Sequence, residues 1–328
     1  MKMKYFLHIV IVFLLISFEI KPQLFPVLGG QRAGISTAQF LKIGVGGRAT
    51  AMGDAFVAIA NDVTALYWNP AGLTQFTENQ IIFSHNKWVV DINHDFIGAV
   101  YHLDDANSFG ISLTSLSMED MKVTTEYAPF GTGEYFGFSD MGIAVSYSRK
   151  MTDQFSFGGT IRYMEESLDR LKMRGLMIDL GTYYWTGLGT TRFAVAVTNF
   201  GNDLAPDGEV VLVGNRSKSD WQSFSPPTMF RIGFAFEPYE DETNRITTSI
   251  QLNHPNDNSE NLSLGFEYVW NKMFFARGGY KINVDEQNYS FGAGVNVPIS
   301  IANVSVDYAF ANFTRLGSAH RFSIILGL

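Results

Sequence analysis

From residue 80 to the end of the chain, large apolar side chains alternate with small or polar ones. One face of residues 261–270 carries Leu262, Leu264, Phe266, Tyr268 and Trp270, and the opposite face carries Asn, Ser, Gly and Glu. The same period of two recurs in residues 153–163 and 289–297. Because successive side chains of a β-strand point to opposite faces, this pattern predicts an all-β chain over this region.

About fourteen such segments can be counted, an even number, and most have the 9 to 11 residues that a tilted strand needs to cross a bilayer. They lie near 80–89, 94–103, 107–117, 138–149, 153–164, 174–186, 191–200, 228–237, 245–253, 260–270, 273–282, 287–297, 301–310 and 320–328. After residue 80 no run of 18 apolar residues predicts a membrane-spanning helix. The predicted fold is a transmembrane antiparallel β-barrel, residues 80–328.

The predicted connections between these segments alternate in length. The longest are 118–137, 165–173, 201–227 and 311–319, and all of them fall at odd-numbered positions in the series. Short turns, such as 104–106, 151–152 and 271–272, fall at even-numbered positions. This alternation is typical of barrels with long external loops and short turns on the periplasmic side.

A soluble β-sandwich or barrel is the main alternative, since its strands alternate too. Three features favour the membrane barrel: one face is consistently large and aromatic, Tyr and Trp recur near strand ends as at Trp185 and Trp270, and the last segment stays in phase to Leu328. The sequence therefore predicts a protein that lies in the lipid bilayer of a Gram-negative-type outer membrane.

Residues 1–22 read as a signal peptide, because Lys2 and Lys4 precede an apolar run from Tyr5 to Phe18. A single membrane anchor is the competing interpretation, and no clear cleavage site is visible. The chain has no Cys, which excludes disulfides, thiolate metal sites and thiol nucleophiles. Its net charge of −8, without a basic cluster, argues against a nucleic-acid partner.

Residues 23–79 are predicted to form an N-terminal plug, or hatch, inside the barrel. The stretch from Gly34 to Phe76 is rich in Gly and Ala and poor in charge, so it needs an enclosure. Val63 to Trp68 can form a short helix after Asn61 or Asp62, and Asn69-Pro70 can start another, because Asn caps free N–H groups and Pro fits the first helical position.

Arg48 is the most informative charge in this plug. A charge among small residues inside an enclosure is costly unless it is paired. Its candidate partners are Asp54, Asp62, Asp179 and Glu267, the last two only if they face the lumen. Arg48 either fixes the plug through such a pair or faces lumen water, and the sequence leaves both interpretations open.

No catalytic motif is complete in this chain. The six His residues form neither an HExxH motif nor a ligand cluster, Gly44 to Gly47 do not complete a phosphate loop, and no G-x-S-x-G elbow is present. A Ser-His pair on the barrel wall remains an open alternative. We expect a protein that is not an enzyme and that needs no cofactor or metal.

The plug sequence resembles the N-terminal region of the PorV/PorQ family, which is itself similar to the FadL-type fatty-acid transporters. The residues that carry the resemblance are Gly47-Arg48-Ala49, Ala51-Met52-Gly53-Asp54-Ala55, Asn61-Asp62 and Tyr67-Trp68-Asn69-Pro70-Ala71-Gly72-Leu73. The resemblance implies a fourteen-stranded outer-membrane barrel with an N-terminal hatch. The expected hatch-motif residues are Arg48, Asp54, Asp62, Trp68, Asn69, Pro70, Ala71 and Gly72.

Two functions follow as expectations from this resemblance. PorV-like members act in type IX secretion, where they bind secreted cargo and other secretion components; FadL-like relatives conduct hydrophobic small molecules such as long-chain fatty acids. The 118–137 connection is apolar enough for either partner, and Phe130, Tyr135 and Phe136 are its candidate contact residues. We favour the secretion-linked role and keep the gated transporter as the alternative.

Overall fold

The computed structural model describes residues 33–212, 216–299 and 302–328. The predicted signal peptide, residues 1–22, and the first part of the predicted plug lie outside the described residues. Within the described ranges, no helix is both long enough and apolar enough to cross a membrane.

Fourteen antiparallel strands close into a barrel, and the remaining four strands form two short ribbons. The strands are β1 Gln80–Lys87, β2 Asn93–His102, β3 Asn107–Ser117, β4 Met121–Lys122, β5 Tyr135–Phe136, β6 Phe138–Lys150, β7 Phe155–Leu168, β8 Leu171–Trp185, β9 Arg192–Gly201, β10 Val210–Leu212, β11 Arg216–Lys218, β12 Met229–Glu240, β13 Asn244–Pro255, β14 Asn261–Trp270, β15 Phe274–Ile282, β16 Tyr289–Ile299, β17 Ala302–Asn312 and β18 Ser318–Gly327. Pairing of β1 with β18 closes the ring. The predicted transmembrane β-barrel is thereby confirmed.

The two faces of the wall follow the predicted alternation. On β14 the side chains of Ser263 and Glu267 are fully buried towards the lumen, whereas Phe266 and Trp270 are exposed on the outside. On β16 the exposed residues include Phe291 and Val297. The large apolar face therefore lies where lipid would contact it, and the polar face lines the interior.

The two longest connections lie at the same end of the barrel, which we call the long-loop end. They join β3 to β6 and β9 to β12, and each contains one of the short ribbons, β4–β5 or β10–β11. The prediction of a loop at 165–173 is wrong. There β7 and β8 continue to Leu168 and Leu171, and Glu165 forms ion pairs with Lys172 and Arg174, so polar residues extend the hairpin beyond the apolar band. The predicted 311–319 loop is also shorter, because β17 ends at Asn312 and β18 begins at Ser318.

Residues 34–79, which we call the interior segment, fill the lumen. The segment contains the helices α1 Gly47–Ala51 and α2 Ala65–Trp68 and the 3-10 turns Gln39–Lys42 and Pro70–Thr74; two further 3-10 turns, Val89–Asp91 and Thr314–Leu316, lie in connections of the barrel. Helix α2 begins two residues after the predicted start at Val63, and the predicted restart at Asn69-Pro70 is a 3-10 turn rather than an α-helix.

The main hydrophobic core of the described chain is formed by this segment against the wall. Phe56, Leu66, Trp68 and other segment residues are almost completely buried, together with wall residues such as Phe96 and Tyr183. Close packing of these apolar side chains against the wall explains why a stretch so rich in Gly and Ala is ordered here.

Candidate functional site

Arg48 binds carboxylates from both the interior segment and the wall. From helix α1, its Nε and Nη2 atoms donate to the two carboxylate oxygens of Glu267 at 2.9 and 3.0 Å, and its Nη1 donates to Asp62 at 2.9 Å. Nη1 also donates to Asn61 at 2.7 Å. Of the four candidate partners, the structure brings Asp62 and Glu267 to Arg48.

The other two candidate partners bind different cations. Asp54 accepts a hydrogen bond from Lys281, and Asp179 accepts one from Arg162 at 2.7 Å. Asp54 therefore ties the interior segment to β15, whereas the Arg162–Asp179 pair lies within the wall, between β7 and β8.

The ion pair of Arg48 continues into a chain of charges along the wall. Glu267 also accepts from Nε of Arg277 at 2.6 Å, and Arg277 donates to Asp307 on β17. Each of these wall side chains is at most 5% exposed. Three strands, β14, β15 and β17, thus share one buried network with the segment, in which each carboxylate has a cationic neighbour.

A second arginine of the wall holds the middle of the segment. Arg192 forms a bidentate pair with Glu237, at 2.6 and 2.7 Å, and its Nε donates to the backbone carbonyl of Ala58 at 3.0 Å. Tyr183 donates to the same carbonyl at 2.9 Å. Neither Arg192 nor Glu237 was predicted; their inward parity on the strands is the only sequence signal that marks them.

The Trp68 to Gly72 motif fits into a slot in the wall between β7 and β8. Trp68 donates from Nε1 to the carbonyl of Val45 at 2.9 Å. The side-chain amide of Asn69 donates to the carbonyls of Val57 and Thr182, both at 3.1 Å, and its Oδ1 accepts from the N–H of Ala71. Pro70 and Ala71 lie against Gly158.

The last motif residue must be Gly72, because the backbone of Ala60 approaches it too closely for a side chain. A Cβ atom at Gly72 would lie 2.1 Å from the carbonyl oxygen of Ala60, and one at Gly181 would lie 2.1 Å from Oδ1 of Asn69. The residues Trp68 to Gly72 therefore pack and form hydrogen bonds within the lumen.

The start of the interior segment is tied to the long-loop end through Asp257, in the connection between β13 and β14. Its carboxylate accepts hydrogen bonds from Lys42 at 2.8 and 2.9 Å, from Gln39 at 2.7 Å, and from Ser36. Burial disfavours the charged carboxylate, but these hydrogen bonds outweigh it and hold the pKa of Asp257 below its ordinary value.

The connection between β3 and β6 extends beyond the barrel at the long-loop end. Phe130 and Tyr135 are 94% and 58% exposed, as the sequence led us to expect, but Phe136 is only half-exposed. Tyr127, at 97% exposed, is the third free aromatic ring of this connection. Tyr135 lies on the ribbon formed by β4 and β5, and Tyr127 and Phe130 lie in the stretch that joins these two strands.

Among the described residues, no group of three or more His, Asp or Glu side chains has an arrangement that could hold a metal ion. Several charges of the described lumen instead form ion pairs, such as Arg48–Glu267 and Arg192–Glu237.

Comparison with protein families identifies the chain. The model described as type IX secretion system protein PorV matches residues 29–255, more than half of the sequence. The chain belongs to the PorV family. The match spans the interior segment and the strands from β1 to β13, and it ends just before Asp257. The two longest connections therefore lie within the matched region. A search of curated proteins finds no match.

Solved structures show the same fold at low sequence identity. The toluene transporter TbuX of Ralstonia pickettii is 14% identical, with a TM-score of 0.58, and the match covers 87% of this chain and 97% of that one. A FadL homologue of Pseudomonas aeruginosa is 13% identical, with a TM-score of 0.55, and the match covers 89% and 97%. This PorV-family chain thus has a FadL-like barrel, a fold and family of the Gram-negative outer membrane.

Proposed function

We propose that this PorV-family protein is a non-enzymatic, secretion-linked component that docks cargo or partner proteins at the outer membrane. Two properties carry the proposal: the connection between β3 and β6 exposes aromatic rings at the long-loop end, and the interior segment fills the lumen. Tyr127, Phe130 and Tyr135 offer large contact areas at low entropic cost, as interface anchors do.

The lumen supports docking more than conduction. Its inward faces carry ion pairs such as Arg48–Glu267, Arg277–Asp307 and Arg192–Glu237, and the segment packs against them. An apolar molecule in transit would have to separate these buried charges, which is energetically costly. A partner that binds the outer ribbon would leave them intact.

One observation favours the alternative, a gated conduit for long-chain fatty acids or other hydrophobic small molecules. At the long-loop end, Phe40 and Leu41 of the segment belong to an apolar cluster that includes Met164, Met177 and Met173. Methionine side chains adapt readily to different apolar contacts. A hydrophobic ligand could enter here by displacing the start of the segment.

The ribbon can be tested by replacing Tyr127, Phe130 and Tyr135 together with Ser. Because a few aromatic anchors carry most of an interface's binding energy, about 2 kcal/mol or more each, the triple variant should lose protein partners that co-purify with the wild type from its native host. Heat-modifiable gel migration should show that the barrel still assembles. The variant Leu188→Ser, in the β8–β9 turn at the opposite end, is the control, since Leu188 is also 75% exposed.

The same variants separate the two functions. Docking predicts loss of partners in the triple variant and unchanged partners in Leu188→Ser. A triple variant that keeps every partner but loses uptake of a long-chain fatty acid would support the conduit. Retention of both activities would show that the ribbon serves neither function.

A further inference from the structure

A cavity of about 210 Å³ lies at the long-loop end, beside the start of the interior segment. Its lining includes connections of the barrel as well as the segment and β18. The lining residues are Gln39, Lys42, Ile43, Gly44, Trp88, Gln287, Phe313 and Arg321. The interactions assigned to the PorV-family docking role do not involve this cavity.

Arg321 supplies a buried positive charge to the cavity. It lies on the inward face of β18, is 3% exposed, and donates to the hydroxyl of Thr50. The amide oxygen of Asn86 lies 2.8 Å from its Nη2 when that amide is oriented to accept. Nε of Arg321 is buried without a partner, and no described carboxylate forms an ion pair with this side chain.

Two carboxylates that contact residues of the cavity lining, Asp257 and Asp54, are already paired. Asp257 binds Lys42, and Asp54, which lies against Gly44, binds Lys281. Arg321 is therefore a surplus cation in this part of the described structure. A buried charge without a counter-ion is strongly unfavourable, so an anion placed beside Arg321 would be stabilised.

The cavity lining also contains two aromatic rings. The rings of Trp88 and Phe313 meet edge to face with their centroids 4.5 Å apart, in a small apolar cluster with Ala311 and Ala319. Gln39 and Gln287 add amide groups to the lining. The lining can thus hold an apolar group against the rings while Arg321 binds a negative charge.

We propose that this cavity binds an organic monocarboxylate that carries a single aromatic or short apolar group, with the carboxylate against Arg321 and the apolar group against Trp88 and Phe313. The volume limits the ligand, because pockets for drug-sized molecules usually measure about 300 to 1,000 Å³. A long acyl chain would not fit entirely within it. The site is independent of the exposed ribbon, so the proposal goes beyond partner docking and does not depend on it.

The test uses the full-length protein purified in detergent and isothermal titration with 3-phenylpropanoate. We expect saturable binding with one site per chain. Arg321→Gln should weaken the affinity at least tenfold, and wild-type protein should bind the uncharged 3-phenylpropanamide at least tenfold more weakly than the acid. Arg315→Gln is the matched control. Arg315 also lies at the long-loop end, but its side chain is 78% exposed and outside the cavity, so this variant should bind 3-phenylpropanoate with the wild-type affinity.

A second variant keeps the test decisive if Arg321→Gln fails to assemble. Trp88→Ala removes one aromatic wall from a connecting turn and should weaken binding several-fold while the barrel still shows heat-modifiable migration. Titration with Ala-Ala-Phe, which has a free carboxyl end, then identifies the source of the carboxylate. If the peptide binds and Trp88→Ala weakens this binding too, the natural ligand is a peptide end. If the peptide does not bind, the natural ligand is a free acid. Absence of saturable 3-phenylpropanoate binding to the wild type, or equal affinities for the acid and the amide, would overturn the proposal.

Discussion

Arg48 of the interior segment and Glu267 of β14 are joined by two hydrogen bonds, of 2.9 and 3.0 Å. Glu267 is completely buried, and the Arg48 side chain is 15% exposed. The pair connects a segment that contains only short helices and 3-10 turns to a strand of the closed barrel. The two carboxylates that bind Arg48 would be affected differently by its removal. Glu267 would keep its ion pair with Arg277, whereas Asp62 would lose its only described ion pair.

Arg48→Ala should therefore loosen the interior segment without opening the barrel. Removal of one partner of a buried ion pair costs about 3 to 5 kcal/mol, and we expect the lower part of this range because Arg277 still neutralises Glu267. The measurement is the rate of protease cleavage within residues 34–79 in purified, folded protein, which should rise.

Arg315→Ala serves as the control for this change. Arg315 also forms an ion pair, with Glu286 at 2.8 Å, but its side chain is exposed, and such surface pairs contribute about 1 kcal/mol or less. Its cleavage rate should match that of the wild type. Equal rates for Arg48→Ala and the wild type would show that Arg48 does not fix the segment.

Two adjacent glycines of β15 test how closely the segment approaches the wall. A Cβ atom at Gly279 would lie 2.0 Å from the backbone nitrogen of Gly53, whereas one at Gly278 would have no heavy atom within 4 Å. Gly279→Ala should thus destabilise the protein by about 1 to 3 kcal/mol through overpacking. Gly278→Ala should change stability by less than about 1 kcal/mol. Equal midpoints in urea unfolding of the two variants would contradict the packing described here.

The sequence predicted the wall and the existence of the interior segment better than it predicted their contacts. Period-two alternation determines which face of a strand is inward, and it correctly located segments such as β14 and β16. It also allowed Glu267 to be a candidate partner of Arg48. The alternation shows which residues face inward, but it does not show which inward residues of different strands lie at the same level along the barrel axis. That level depends on the strand tilt and register of the closed barrel.

The missed residues follow from this limit. Arg277, Asp307, Arg192 and Glu237 have inward parity, but only the register places each opposite its partner. Asp257 lies in a connection, where no periodicity applies. The sequence predicts a loop at the β7–β8 hairpin because polar residues on both faces hide the alternation once the strands extend beyond the lipid.

Asn69 provides a test of the motif that the resemblance singled out. It is completely buried, and its side chain satisfies two carbonyls and one N–H group. Asn69→Ala leaves these groups unpaired at about 1 to 3 kcal/mol for each buried group. Asn69→Asp should be more destabilising, since a carboxylate cannot donate to the carbonyls of Val57 and Thr182. Urea unfolding followed by Trp fluorescence measures both; an Asp variant as stable as wild type would refute this role.

Asp257 should make the start of the interior segment sensitive to acid. Because hydrogen bonds from Lys42, Ser36 and Gln39 hold the pKa of Asp257 below its ordinary value in the folded protein, its contribution to stability is fully present above the unfolded-state pKa, about 3.9, and is lost as the pH falls through the lower folded-state pKa. Asp257→Asn removes the charge at every pH. Hydrogen exchange of residues 36–44, compared between the two proteins at each pH, should show greater protection of the wild type at neutral pH, and this difference should shrink as the pH falls through the folded-state pKa of Asp257. A difference in protection that stays constant from neutral to acidic pH would show that the carboxylate charge does not hold the segment.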